Sequence, residues 1–304
     1  MTFVRIDGIP HHIRVDGTAA APVCLLSVGL GMSWFDWDPV LPFLAPYRRV
    51  VRFDRPGLGL SAPAPARAWP TLTGEAHRIA RVLDAAGVRT PATVVGHSLA
   101  GFHCEAFARL YPERTAGLVL VDSSVEEEPR PSRAPALRNT ATRACGTLLA
   151  GAGLPRALGP LLRRTAVRAV RHSGGDSAPY DPAPYDLVRR AYSTSRSLRA
   201  ALAENATYRD QAVALDGLRE RPLPDVPVTV LAAADHGGNG SRRWLDRQER
   251  LAERLGATFR VSAPAGHLVM LDRPQDVAAA ILDAPNEPVR PSPAGQEEER
   301  THRR

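Results

Sequence analysis

The most conspicuous absence in this sequence is lysine. All 39 basic residues are arginine, and against 32 acidic residues they give a net charge of +7. The arginines are dispersed, and aromatic residues make up only 6% of the chain. Nucleic-acid-binding surfaces instead cluster their positive charge and add aromatic side chains on which bases stack. We therefore expect no nucleic-acid partner.

Cysteine is scarce as well. Cys24, Cys104 and Cys145 are odd in number and far apart, without the spacing of metal ligands. This pattern is typical of reduced thiols in a protein core. The sequence also lacks a nucleotide-binding glycine fingerprint. Neither a metal nor an organic cofactor is expected.

Long hydrophobic runs are missing too. The apolar stretch 19–30 is shorter than the ~18 residues that a membrane span requires. Arg5 and Asp7 lie where a signal peptide would begin, and no apolar segment of the signal type follows them. These features predict a cytoplasmic protein without stable membrane insertion, and they are silent on its oligomeric state.

The chain does contain alternating strand-like and helix-like segments. Apolar runs at 23–28, 50–53, 93–95 and 118–121 resemble strands buried on both faces. The segment 71–86 has apolar residues at helical spacing. Such alternation predicts an α/β fold with a doubly wound, mostly parallel sheet.

The alternation stops between residues 126 and 224, where three helix-like stretches, 136–150, 156–171 and 185–202, are separated by proline and glycine. We predict a core over 1–125, a helical lid over 126–224 inserted after the sixth strand, a second core part over 225–284, and a disordered tail over 285–304. The lid would cover the carboxyl edge of the sheet, where ligands bind in such folds. The arginine-rich stretch 154–171 favours a lid helix with a solvated face over a membrane-binding helix.

The segment around Ser98 carries the strongest chemical signal. A β-branched run enters Gly96-His97-Ser98-Leu99-Ala100-Gly101, and a helix-compatible run leaves it. This is the pattern of a sharp strand–turn–helix connection that exposes a nucleophilic serine, although a capping serine has a similar local sequence.

A serine hydroxyl needs a base to accept its proton, and the base in turn needs a carboxylate to orient it. His267 follows the last predicted strand, so it should emerge at the same sheet edge as Ser98. Asp235 follows the preceding strand and is the favoured carboxylate. Asp122, which also ends a strand, is the alternative.

Four segments together resemble the α/β-hydrolase superfamily over residues 1–284: Gly29–Gly31, Asp54–Ser61, Gly96–Gly101 and Gly266-His267. The resemblance implies an oxyanion hole formed by the backbone N–H groups of Leu30 and Leu99. Two positions depart from the family pattern: Val28 stands where histidine is usual, and Ala100 where glycine is usual.

The resulting prediction is a serine hydrolase that cleaves a small ester or related acyl compound through an acyl-enzyme. An apolar substrate pocket is expected from Gly29, Trp34, Val125, Val269 and Met270. An amidase, aminopeptidase or lyase on the same fold remains an alternative, because fold does not fix reaction class. A ligand-binding or regulatory protein with little turnover is a second alternative.

Overall fold

The computed structural model describes residues 2–171, 182–235 and 239–283, so the predicted tail at 285–304 lies outside it. Within these ranges eight strands form one sheet in the order β1-β2-β4-β3-β5-β6-β7-β8. The first two strands pair antiparallel, as does β2 with β4, and the other pairs are parallel. The strands are β1 Thr2–Ile6, β2 Ile9–Asp16, β3 Val23–Ser27, β4 Arg49–Phe53, β5 Ala92–His97, β6 Thr115–Val121, β7 Val228–Ala233 and β8 Thr258–Ser262.

The central strands are apolar throughout because both faces of the sheet are covered. Val94 on β5 packs into one hydrophobic cluster, and its neighbour Val95 packs into the other. Leu25 and Cys24 on β3 divide in the same way. Since successive side chains of a strand point to opposite faces, each cluster is one helix layer against the sheet. The predicted doubly wound α/β sheet is confirmed.

The helices of the core alternate with the strands. They are α1 Leu41–Leu44, α2 Leu72–Ala85, α3 Leu99–Leu110, α8 Asn239–Leu255, α9 Val269–Asp272 and α10 Pro274–Leu282, with short 3₁₀ helices at Trp34–Val40 and Pro112–Arg114. Thr71 caps α2, because its hydroxyl accepts the N–H of Gly74. One hydrophobic cluster includes α2, α3 and α8, and the other includes α1, α9 and α10.

Four further helices lie between β6 and β7: α4 Pro135–Gly151, α5 Leu154–Val170, α6 Tyr185–Tyr192 and α7 Ser195–Leu218. We call residues 126–224 the helical insertion. The sequence predicted one helix over 185–202, but the chain breaks at Ser193 and restarts at Thr194, whose hydroxyl accepts the N–H of Ser197. Helix α7 contacts α4 within the insertion and also α2 and α3 of the core.

Two other expectations can be compared with the structure. Cys24 and Cys104 are buried, as predicted, but Cys145 is exposed on α4. Among the described residues, no helix combines the length and the hydrophobicity needed to cross a membrane.

Candidate active site

Ser98 occupies a strained turn between β5 and α3. Its backbone has φ 52° and ψ −125°, a conformation that non-glycine residues rarely adopt. The turn is tight enough that a Cβ at Gly96 would overlap the backbone of Ala100, and one at Gly101 would overlap the side chain of Ser123. Ala100 itself is fully buried in the turn, so its methyl group is accommodated. The local sequence therefore builds the sharp connection that the motif predicts.

His267 lies in the loop between β8 and α9, beside Ser98. Its Nε2 is 3.0 Å from Ser98 Oγ, within hydrogen-bond distance. Its Nδ1–H donates to Asp122 Oδ2 at 2.6 Å. Asp122 is 2% exposed, whereas the His267 side chain is 37% exposed. A hydroxyl, an imidazole and a buried carboxylate thus form one hydrogen-bonded chain.

The structure corrects the choice of carboxylate. The predicted partner Asp235 is exposed beyond the end of β7, and Asp122 at the end of β6 occupies the place beside Nδ1 of His267. The loop that carries His267 explains this difference. It is bonded to the end of β7 through the Ala265 N–H and the Ala234 carbonyl, and it then continues past β7 towards β5 and β6. Strand order alone predicts a carboxylate at the end of β7, the neighbour of β8, because it does not include the path of this loop.

Asp122 is itself held by two donors. Its Oδ1 accepts the indole N–H of Trp244 at 2.7 Å and the backbone N–H of Ala233 at 2.9 Å. Its φ of 41° turns the chain at the end of β6, and Asp tolerates this conformation better than most residues. Because both Oδ1 donors are fixed by β7 and α8, the carboxylate has one orientation, with Oδ2 towards His267.

His97 fixes the backbone of the histidine loop. Its Nε2–H donates to the His267 carbonyl at 2.9 Å, and the two imidazole rings lie 4.7 Å apart. Burial, and then the nearby His267, holds the pKa of His97 well below its ordinary value. His97 therefore stays neutral, which leaves the donor on Nε2.

The ion pair between Arg55 and Glu204 holds the loop Gly29–Gly31 in place through hydrogen bonds to its backbone. Arg55 donates to the carbonyls of Val28 at 2.5 Å and Gly29 at 2.7 Å. Glu204 on α7 accepts from Arg55 Nε at 2.6 Å and from the Gly31 N–H at 2.9 Å. Both charged side chains are buried. The loop therefore depends on Glu204, a residue of the helical insertion that the sequence analysis did not single out.

The buried pair is charged. Burial alone would lower the pKa of Arg55, but the carboxylate of Glu204, with smaller contributions from Glu75 and Asp54, raises it above its ordinary value. Arg55 follows the strand end that also carries Asp54, which accepts the backbone N–H groups of Trp34 and Leu60. The Asp54–Ser61 segment thus acts as a brace for the neighbouring loops.

The two residues expected to form the oxyanion hole, Leu30 and Leu99, lie near Ser98. Gly29 packs so closely that a Cβ there would lie 3.1 Å from Ser98 Cβ and 2.8 Å from His97 Nδ1. Leu30 follows Gly29 and lines the cavity beside Ser98. Leu99 is the first residue of α3, where N–H groups have no acceptor within the helix. Val28 at the start of the loop contributes only its carbonyl to Arg55.

A cavity of about 530 Å³ opens beside Ser98 and His267, and we call it the Ser98 cavity. Its walls are mostly apolar and come largely from α5 and α7 of the helical insertion. The aliphatic residues among them are Leu30, Met32, Leu149, Leu154, Leu158, Leu162, Val167, Val170, Leu198 and Leu268. Arg163 is the charged residue of this wall from the insertion, and it pairs with the buried Asp36.

None of the five predicted pocket residues lines this cavity. Trp34 is buried, and the guanidinium carbons of Arg14 and Arg52 each lie 5.0 Å from the centre of its ring. Val269 and Met270 are fully buried in the core, and Val125 packs against the opposite hydrophobic cluster. Gly29 alone lies against Ser98. The apolar residues within 154–171 are the feature of the sequence that could have identified the wall of the Ser98 cavity.

Comparison with known proteins agrees with this architecture. RutD of Caulobacter segnis, a protein named as a carbamate hydrolase, is 34% identical over 133 residues, which are 44% of this chain and 49% of that protein. The polyketide synthase ThaQ of Burkholderia thailandensis is 30% identical over 276 residues, which are 90% of this chain and 12% of that protein. The chain therefore spans about half of the first relative and a small part of the second.

Among solved structures, Cfl2 of Burkholderia cenocepacia superposes with a TM-score of 0.69 at 24% identity, covering 92% of this chain and 94% of the other. At that identity the likeness shows the shared fold. A family model described as the alpha/beta hydrolase family matches residues 24–280. That match covers most of the chain, and with the sheet order described above it shows that this protein belongs to the alpha/beta hydrolase family.

Proposed function

We propose that this protein is a serine hydrolase that cleaves a small ester with an apolar acyl or alcohol group. The observation that carries the proposal is the chain of hydrogen bonds from Ser98 Oγ to His267 Nε2, at 3.0 Å, and from His267 Nδ1 to Asp122, at 2.6 Å. A nucleophile, a base and an orienting carboxylate at these distances are the minimum that acyl transfer to serine requires.

In the proposed reaction Ser98 Oγ attacks the ester carbonyl while its proton moves to His267 Nε2. Asp122 keeps the other proton on Nδ1 and stabilises the imidazolium that forms. The N–H groups of Leu30 and Leu99 bind the oxyanion of the tetrahedral intermediate. His267 then gives its proton to the leaving alcohol, and the acyl-enzyme is hydrolysed by a water that His267 activates.

The Ser98 cavity supports an apolar substrate. A volume of about 530 Å³ is that of a small-molecule site, and its leucine and valine walls favour hydrocarbon over sugar or peptide. Among the described residues of that wall, Arg163 is already paired with Asp36, which disfavours an anionic substrate.

Carbamate or amide hydrolysis is the second candidate. The similarity to RutD favours it, since that protein is named as a carbamate hydrolase. The same serine, histidine and oxyanion groups would serve either bond, so the site geometry does not separate the two.

A fluorophosphonate experiment tests the nucleophile first. The wild type should gain the mass of one adduct, and Ser98→Ala should gain none. An unlabelled, folded wild type would contradict the proposal. Hydrolysis of p-nitrophenyl esters from acetate to decanoate, compared with matched carbamates and anilides, then identifies the bond and the acyl length. Esters should be cleaved fastest, with a preference for chains longer than acetate.

A further inference from the structure

A second cavity of about 690 Å³ lies on another face of α7. None of the residues that line it lines the Ser98 cavity. Leu198 and Ala201 of α7 face the Ser98 cavity, whereas the face of α7 with Arg196, Arg199 and Ala203 lines the second one. We call it the arginine-lined cavity. Its other walls come from α2, α4 and the loop 63–70.

Positive charge is in excess in this cavity. Five arginines and two glutamates line it, and the glutamates are already used, because Glu204 pairs with Arg55 and Glu75 pairs with Arg78. Three arginines remain: Arg143, Arg196 and Arg199. Within the described part of the chain, no carboxylate lies at ion-pair distance from any of these three.

The three arginines come from two packed helices. Arg196 and Arg199 lie about one turn apart on α7, and Arg143 lies on α4, which packs against α7. The stem of Arg199 crosses the contact between these helices, since a Cβ at Gly146 of α4 would lie 3.2 Å from its Cγ. Arg143 and Arg199 are exposed at the rim.

Arg196 lies further in and is only half-exposed. Its guanidinium donates to the carbonyls of Gly59 at 2.8 Å and Ser61 at 2.9 Å, which hold it in place without neutralising it. Burial lowers the pKa of Arg196, and the charge of Asp54 only partly offsets that effect. An anion placed near this group would relieve the cost of its burial.

Apart from Thr142, Thr147 and Ser195, the rest of the wall is apolar. The loop 63–70 contributes prolines and alanines, and it ends in Trp69, whose ring lies 5.0 Å from the guanidinium carbon of Arg143. Such walls suit a hydrocarbon or aromatic body, while the arginines suit its charged end. An inorganic anion would leave most of this volume without contacts.

We infer that the arginine-lined cavity is a binding site for an anionic amphiphile, a carboxylate on an apolar body of medium length. The carboxylate meets Arg143, Arg196 and Arg199, and the apolar body lies against Trp69 and the prolines of the loop 63–70. The acid released by the proposed ester hydrolysis has this chemistry, and that link rests on the proposed function. The site itself does not depend on it, because its residues are separate from Ser98 and His267.

Calorimetric titration of Ser98→Ala protein with octanoate and with octanamide tests the inference. The two probes have the same length, and only octanoate is charged. Using the serine variant removes turnover, so failure of this test and failure of the hydrolase proposal are distinguishable. Octanoate should bind at one site, at least tenfold more tightly than octanamide, and more weakly as salt is added.

Removal of the rim arginines assigns the site. In the same background, Arg143→Ala with Arg199→Ala should weaken octanoate binding about 5- to 20-fold. Arg156→Ala is the matched control, because Arg156 is an exposed arginine of the insertion that lines neither cavity, and it should leave the affinity unchanged. All three positions are exposed, so these variants should fold, and thermal unfolding checks this.

A crystal soaked with 8-bromooctanoate locates the ligand independently of the variants. An anomalous bromine peak between Trp69 and α7 would support the site. Three results would overturn it: a peak only beside Ser98, equal affinity for octanamide, or octanoate affinity unchanged by loss of Arg143 and Arg199.

Discussion

Replacement of Asp122 by asparagine is the sharpest test of the site, because the structure fixes how the new amide must lie. Oδ1 of Asp122 accepts the Trp244 indole N–H and the Ala233 backbone N–H. An asparagine would turn its carbonyl oxygen to these two donors, which places its NH₂ group against Nδ1 of His267. The histidine must then accept at Nδ1 and carry its proton on Nε2. Nε2 faces Ser98 Oγ, so the base has no lone pair for the serine proton.

The size of the effect follows from the cost of the opposite amide orientation. Turning the oxygen to His267 would face the NH₂ group towards the buried N–H of Ala233 and the partly buried indole N–H of Trp244, and each unsatisfied donor costs about 1–3 kcal/mol. A total of roughly 2–6 kcal/mol corresponds to a loss of about 30- to 2 × 10⁴-fold in the population with the active tautomer. We expect kcat on the best p-nitrophenyl ester to fall within that range while KM changes little, since Asp122 does not line the Ser98 cavity.

The matched control is Asp235→Asn, which removes the carboxylate that the sequence favoured. Because Asp235 is exposed and Nδ1 of His267 is bonded to Asp122, the control should retain kcat within about twofold. The rate of fluorophosphonate labelling should follow kcat in both variants. Loss of activity in Asp235→Asn, with Asp122→Asn near the wild type, would refute the assignment of the carboxylate.

Three further predictions concern the groups around this chain of hydrogen bonds. Glu204→Ala should lower kcat about 10- to 100-fold, because the Gly31 N–H and Arg55 lose their acceptor and the loop Gly29–Gly31 is released. Glu204→Gln should restore part of kcat, and equal kcat in both variants would contradict the positioning role. Gly29→Ala should lower kcat by a similar factor in steady-state assays, because its Cβ would press on His97 and Ser98; an unchanged rate would exclude that close packing. The pKa of His97 in the folded protein lies below its unfolded value of about 6.5. Unfolding near and below that pH therefore takes up a proton at His97. The free energy of unfolding should decrease as the pH falls from 7.5 to 5.5. Denaturant titrations should show a smaller decrease in His97→Gln, and an equal slope would contradict this source.

The parts of the fold that the sequence predicted are those set by local pattern. Val94 and Val95 are both apolar because β5 has helices on both faces. A sequence segment of five or six residues is enough to reveal such a continuous apolar run. The turn at Ser98 is likewise local, since Gly96 and Gly101 lie next to the positions they must accommodate. His267 needed one further step, that the carboxyl ends of parallel strands meet at one edge.

The errors arose where geometry depends on parts of the chain distant in sequence. Asp122 and Asp235 both follow apolar strands, and only the path of the loop before His267 decides between them. Trp34 follows the loop Gly29–Gly31 and was expected at the rim. However, its backbone N–H donates to Asp54 and its ring contacts the guanidinium groups of Arg14 and Arg52, so it is held away from the Ser98 cavity.

Glu204 shows why the insertion could not be interpreted in the same way. It lies 149 residues from Arg55, in a helix whose apolar and polar residues have no single-face pattern. That lack of pattern follows from the position of α7, because one face lines the Ser98 cavity, another lines the arginine-lined cavity, and Glu204 accepts from the Gly31 N–H of the loop Gly29–Gly31. A helix with three different surroundings has no one apolar stripe for a sequence to reveal. The residues of α7 are therefore where substrate choice and loop positioning can change together without alteration of Ser98, His267 or Asp122.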